Sequence, residues 1–143
     1  MREREGFTLI ELVVVIMILG ILGAVAAPRF MNTSAGAADS GLKQSLSVIR
    51  SAIEMHAAEN AGAYPSGTDE ATFKEEIGPY LRGSRFPTCP VGNRNDEVAI
   101  SDATPLAAVG GTASWVYNPD TGEFICNSDD ESQSDPGVKY SEF

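Results

Sequence analysis

Histidine occurs once, tryptophan once and cysteine twice in 143 residues, and ten basic side chains face twenty acidic ones. The single His56, with no HExxH or GxSxG string beside it, offers neither a catalytic pair nor a zinc cluster and reads as an ordinary helix residue. Cys89 and Cys126 lack CxxC spacing, which argues against a thiolate metal site or a nucleophilic cysteine. The shortage of Lys and Arg leaves a formal net charge of -10, opposite in sign to what a phosphate backbone attracts, so nucleic acid is excluded as a bulk partner. Gly110-Gly111 is too short to define a phosphate loop. The length excludes two full domains.

One long apolar run is present. Phe7 to Ala27, FTLIELVVVIMILGILGAVAA, carries a single charge, Glu11, and Leu12 to Ala27 carries none. As a helix the run spans roughly 31 Å, enough to cross a bilayer once. A secretory signal peptide is the alternative, and Ala24-Val25-Ala26-Ala27 has suitable small residues. Against it, the charged stretch Met1 to Gly6 abuts the run directly and Glu11 sits inside it. Arg2 and Arg4 precede the run while only Arg29 follows closely, a one-charge asymmetry that points to a cytoplasmic N-terminus and an exported body. Glu11 is the costly residue, because a carboxylate at membrane depth must be paired, neutralised or snorkelled to the headgroups.

The string Gly6-Phe7-Thr8-Leu9-Ile10-Glu11, after a short charged leader and before an apolar helix reaching Pro28, resembles the N-terminus of type IV prepilins and type II secretion pseudopilins. The resemblance implies that 1–6 is a leader peptide, and that a prepilin peptidase cuts between Gly6 and Phe7 and methylates the new Phe7 amine. Residues 7–28 are then retained as a transmembrane and filament-core helix. Glu11 gains a partner in that scheme, the Phe7 ammonium of an adjacent subunit, which sets axial register as the subunit leaves lipid. Gly20, Gly23 and Pro28 weaken the helix by about 1 kcal/mol per Gly and about 3 for an interior Pro. Gly20 to Pro28 is therefore the expected melted or kinked segment of the filament; small residues for close helix packing fit the same positions.

Beyond Pro28, Leu42, Leu46, Ile49, Ile53 and Ala57 recur at helical spacing and predict an amphipathic helix running to about Asn60, ending before Gly62 and Tyr64-Pro65. Thr72 to Leu81 predicts a short helical turn carrying Phe73 and Ile77. Glu97 to Ser101, Ala113 to Asn118 and Glu123 to Asn127 read as short strands. The last two are joined at Pro119-Asp120-Thr121-Gly122, residues with mechanistic reasons to turn, which makes Trp115 to Cys126 a hairpin. Its aromatic residues are expected to pack on the apolar stripe of the long helix.

The expected fold is thus α+β and pilin-like: a long N-terminal helix packed, in its second half, on a small antiparallel sheet, with 29–143 as the exported globular domain. In an oxidising compartment Cys89 and Cys126 are free to join, and closing about 37 residues stabilises by roughly 3.5–4 kcal/mol on chain-entropy grounds. The acidic tail holds Asp129, Asp130 and Asp135, oxygen ligands of the type Ca²⁺ takes, without the EF-hand spacing. A solvated acidic loop and a structural calcium both fit those residues; the resemblance adds weight to calcium, and no other cofactor is expected.

The function implied is that of a structural subunit of a type II secretion pseudopilus, waiting in the inner membrane with its body in the periplasm and then packed into a filament. A type IV pilus subunit for adhesion, motility or DNA uptake is the first alternative, and a membrane-tethered periplasmic binding module or enzyme the second. The implied partners are copies of the chain itself, the membrane, prepilin peptidase, an inner-membrane assembly platform and motor, and minor pseudopilins or pilins.

Overall fold

A computed structural model describes residues 7–143, and of 27–35 only the helical backbone. The leader and Gly6 lie outside the described residues. The chain divides into two units, Met1–Ala35 and Gly36–Phe143.

The first helix, α1 (Leu9–Glu59), starts at Thr8 because the sequence Thr8-Leu9-Ile10-Glu11 is a capping box. Glu11 N–H donates to Thr8 Oγ1 (3.3 Å), while Thr8 N–H donates back to Glu11 Oε2 (3.0 Å). In the first unit Leu9–Ala26 is long and apolar enough to cross a membrane, and the large apolar side chains from Phe7 to Val25 are exposed. The helix continues through Gly20, Gly23 and Pro28.

In the second unit the stripe Leu42, Leu46, Ile49 and Ile53 is at most 1% exposed, worth about 1.5–3 kcal/mol for each such side chain. The helix ends where Gly62, at φ 89°, donates its N–H to Ala57 O (2.7 Å), a left-handed closure that glycine adopts without a Cβ penalty. The short helix α2 (Glu70–Ile77) begins at Asp69, whose carboxylate accepts from Thr72 N–H at 2.8 Å. It begins two residues before the predicted turn and delivers Phe73 and Ile77, as expected, to the core.

Three strands follow: β1 (Val98–Ile100), β2 (Trp115–Tyr117) and β3 (Phe124–Cys126), in the order β1-β2-β3. The hairpin β2–β3 is antiparallel, Trp115 facing Cys126 and Tyr117 facing Phe124. β1, however, pairs parallel to β2, Val98 beside Trp115, so the sheet is mixed and not wholly antiparallel. The reason is the connection 101–114, long enough to carry the chain back to the start of its neighbour. Asn118 holds that connection, its Nδ2 donating to Ala103 O (2.9 Å), and Asn127 Nδ2 donates to Ala113 O (2.8 Å). Phe73 stacks on Tyr117 at 4.1 Å between ring centroids, and Trp115 lies 5.4 Å from Phe124. The aromatic cluster is core packing, as its sequence pattern suggested.

Candidate functional site

At the start of α1, Phe7 is 83% exposed and shares a shallow groove with Ile10, Glu11, Val14 and Val15. The Glu11 carboxylate is engaged within its own chain, accepting Thr8 N–H and also Thr8 Oγ1–H (2.8 Å). Thr8 is a residue that sequence reasoning passed over, although the T-x-x-E spacing before an apolar run is a readable capping signal. An ionised carboxylate held by two local donors carries less of the cost of leaving water than a bare one. Among the described residues Oε1 accepts no hydrogen bond, and Phe7, four residues earlier, lines the same groove. Among the described residues, no atom other than the neighbouring residues and the helix's own backbone lies within 4 Å of a Cβ built at Gly20 or Gly23, so contacts among those residues do not require glycine there.

In the body, Cys89 and Cys126 come together as two buried thiols with their Sγ atoms 3.7 Å apart. The hydrogen bond between them and then burial push the Cys126 thiol well above its ordinary value.

The tail folds back on itself: Ser132 N–H donates to Val138 O (2.8 Å), Tyr140 N–H to Asp130 O (3.0 Å) and Ser141 N–H to Ser128 O (3.0 Å). Its anchor is Asp39 on α1, 2% exposed, whose Oδ2 accepts from Ser132 Oγ (2.6 Å), Ser134 N–H (3.1 Å) and Ser134 Oγ. Burial pushes the Asp39 carboxyl up, but the donors on Ser132, Ser134 and Tyr140 outweigh it and hold it below the usual carboxylate range. Nothing in the local sequence, a lone Asp in a run of small residues, marked it.

The three expected calcium ligands are not gathered. Asp129 Oδ1 accepts from Ser141 Oγ (3.0 Å) and lies 3.6 Å from Lys139 Nζ, Asp130 Oδ2 accepts from Ser128 Oγ (3.1 Å), and Asp135 is tied through its N–H to Ser132 Oγ (3.0 Å). Among the described residues no group of three or more His, Cys, Asp or Glu side chains converges, so this arrangement does not fit a calcium shell of six to eight oxygens. His56 lies 3.8 Å from Glu76 Oε2 and edge-on to Tyr80, between α1 and α2, where it supports packing.

Residues 1–27 match the family model of the prokaryotic N-terminal methylation motif. The chain is 39% identical over 117 residues to the type II secretion system core protein G of Pseudomonas aeruginosa, covering 73% of this chain and 80% of that protein. It is 31% identical over 102 residues to the protein of the same name from Aeromonas hydrophila, covering 64% and 71%. To the type IV major alpha-pilin of Moraxella bovis it is 36% identical over 102 residues, covering 71% of this chain and 62% of the pilin. No solved structure matches this chain.

Proposed function

The chain belongs to the family of type IV pilins and type II secretion pseudopilins, and from that premise we propose that it is the structural, non-catalytic subunit of a type II secretion pseudopilus. The observation that carries the choice within the family is coverage: the core protein G relatives are matched over 80% and 71% of their length, the pilin over 62%. The pilin match keeps a type IV pilus subunit as the second reading.

In this reading prepilin peptidase removes 1–6, the mature chain begins at a methylated Phe7, and 7–28 anchors it in the inner membrane with 29–143 in the periplasm. The assembly platform and motor then lift it into a filament of identical copies, topped by minor pseudopilins. Each copy meets the next by the same unlike pair of surfaces, the arrangement that yields a fibre and not a closed ring. Glu11 exchanges its Thr8 donors for the Phe7 ammonium of a neighbour, and Gly20 to Pro28 supplies the stretch able to unwind.

The outward face of α1 in the body supports packing between helices. Gln44, Val48, Ser51, Met55 and Ala58 follow one another at alternating spacings of four and three, the period of helix-on-helix seams, with no charge among them. Val48 is 44% and Met55 52% exposed.

The test is Glu11→Ala expressed as the only copy of the gene. The subunit is expected in the membrane fraction at wild-type level, with its incorporation into sheared filaments down at least about tenfold, since the neighbour's ammonium is left unpaired. Accumulation of secreted enzymes in the periplasm of the deletion strain supports the pseudopilus reading; normal secretion with loss of surface fibres supports the pilus.

A further inference from the structure

Between the apolar run and the buried stripe, α1 passes through Asn32-Thr33-Ser34-Ala35-Gly36-Ala37-Ala38-Asp39-Ser40-Gly41. Seven of these ten residues are Asn, Thr, Ser, Gly or Asp, which rank low in helix propensity because they free the backbone or offer it competing hydrogen bonds. None is large and apolar, so the stretch has little side-chain surface with which to pack. It is helical nonetheless, and helices of weak propensity draw their stability from tertiary contacts.

The contact is made by Asp39. Among the described residues its side chain alone in this stretch is hydrogen-bonded to the rest of the body: Oδ2 accepts from Ser132 Oγ (2.6 Å), Ser134 N–H (3.1 Å) and Ser134 Oγ. Oδ1 is buried without a donor, so the clasp hangs on one oxygen. Ala38, partly buried against the core, and Gly41, near Pro90, add only the contacts of small residues. The tail that supplies the donors is ordered by its own bonds. Ser132 N–H donates to Val138 O (2.8 Å), Asp135 N–H to Ser132 Oγ (3.0 Å), and Glu131 bridges antiparallel to Lys139. It can therefore leave its seat as a unit.

We propose that the tail is a strap over a conditional hinge in α1: seated on Asp39, residues 131–139 brace the helix through 32–41, and unseated they let that stretch unwind. The stripe from Leu42 to Ile53, at most 1% exposed at Leu42, Leu46, Ile49 and Ile53, keeps the rest of the helix in place. A shortened helix has its cap ready, because Asp39 and Ser40 are residue types that accept the first free N–H groups of a helix. The hinge is separate from Gly20 to Pro28, which lies in and just beyond the apolar run. It rests on the reading that 7–28 is held in a membrane or a filament core, where unwinding at 32–41 lets the body turn on its anchor.

The test follows hydrogen–deuterium exchange in the full chain in detergent micelles. In Ser132→Ala/Ser134→Ala the amides of 32–41 are expected to exchange at least about tenfold faster than in the unaltered chain, while 46–59 and the hairpin β2–β3 keep their rates, the signature of local opening. Gly36→Ala raises helix propensity without touching the strap. Among the described residues, no atom beyond its neighbours and the helix's own backbone lies within 4 Å of a Cβ built there. Added to the double variant, it is expected to restore most of the lost protection. Unchanged exchange at 32–41 overturns the strap, and equal acceleration in 46–59 and the hairpin overturns it as well, since the whole body has then loosened. Failure of Gly36→Ala to slow the exchange overturns the hinge. Filaments sheared from cells expressing the unaltered chain report on the assembly reading separately. A chain that gives the expected rates and builds no filament keeps this inference and loses that reading; one that builds filaments with 32–41 indifferent to the strap does the reverse.

Discussion

Asp39 shows how much one side chain decides at the residue scale. Its carboxyl is held below the usual range by Ser132, Ser134 and Tyr140 against the opposing effect of burial. A depressed carboxyl stabilises the folded state above its unfolded pKa, about 3.9, and that stabilisation is lost as pH falls through the lower folded value. The body's melting temperature is therefore expected to hold down to about pH 4 and to fall below it, with a shallower acid limb in Asp39→Asn; coincident acid limbs would remove Asp39 from the account. Gly122 is a second such residue. It sits at φ 72°, and a Cβ there would lie 2.5 Å from Tyr64 Cε1, so Gly122→Ala incurs both a left-handed backbone cost of about 1–2 kcal/mol and a displaced ring. Urea unfolding of the variant should show a clear loss of midpoint at unchanged slope.

Among the elements, α1 carries two faces with opposite duties within the body. Ile49 is 0% exposed and sits in the core with Leu46 and Phe73, so Ile49→Ala is expected to cost about 2–5 kcal/mol. Val48, one residue before it, faces out, and surface substitutions of that kind change stability by about ±0.5 kcal/mol. Val48→Glu with Met55→Glu should accordingly leave thermal unfolding near wild type while sharply reducing incorporation into filaments. Wild-type incorporation of this double variant would show that the seam faces solvent in the assembly. The hairpin β2–β3 was predictable because its turn residues act locally, and Asn118 completes that turn by accepting Asp120 N–H (2.8 Å) and Thr121 N–H (3.2 Å).

For the molecule as a whole, a formal net charge of -10 makes salt the first variable to control. The tail carboxylates are engaged separately by Ser141, Lys139 and Ser128, the pattern of a solvated loop ordered by its own hydrogen bonds. Calcium is then expected to raise the melting temperature no more than magnesium at equal ionic strength, both acting by screening. A gain specific to calcium, lost in Asp129→Ala/Asp130→Ala, would mean that the tail rearranges to gather Asp129, Asp130 and Asp135. Ligand at one hundred times its dissociation constant adds about 2.7 kcal/mol, several degrees for a body of this size, so the two outcomes are readily told apart.

The apolar run, the cap at Thr8 and Glu11, the stripe from Leu42 to Ala57 and the Pro119 to Gly122 turn were all determined by sequence alone. Each depends on residues within a turn or two of one another, where spacing by itself decides which groups meet. The family was legible for the same reason, since its signature is a short contiguous string. What only the tertiary structure decided are the contacts across long stretches of chain. The parallel seat of β1 depends on how the connection 101–114 is tied by Asn118 and Asn127. The anchoring of the tail depends on Asp39, more than ninety residues from Ser132 and Ser134. The meeting of Cys89 with Cys126, and the separation of Asp129, Asp130 and Asp135 among different partners, depend on which surfaces the core brings together, and spacing along the chain carries no record of that.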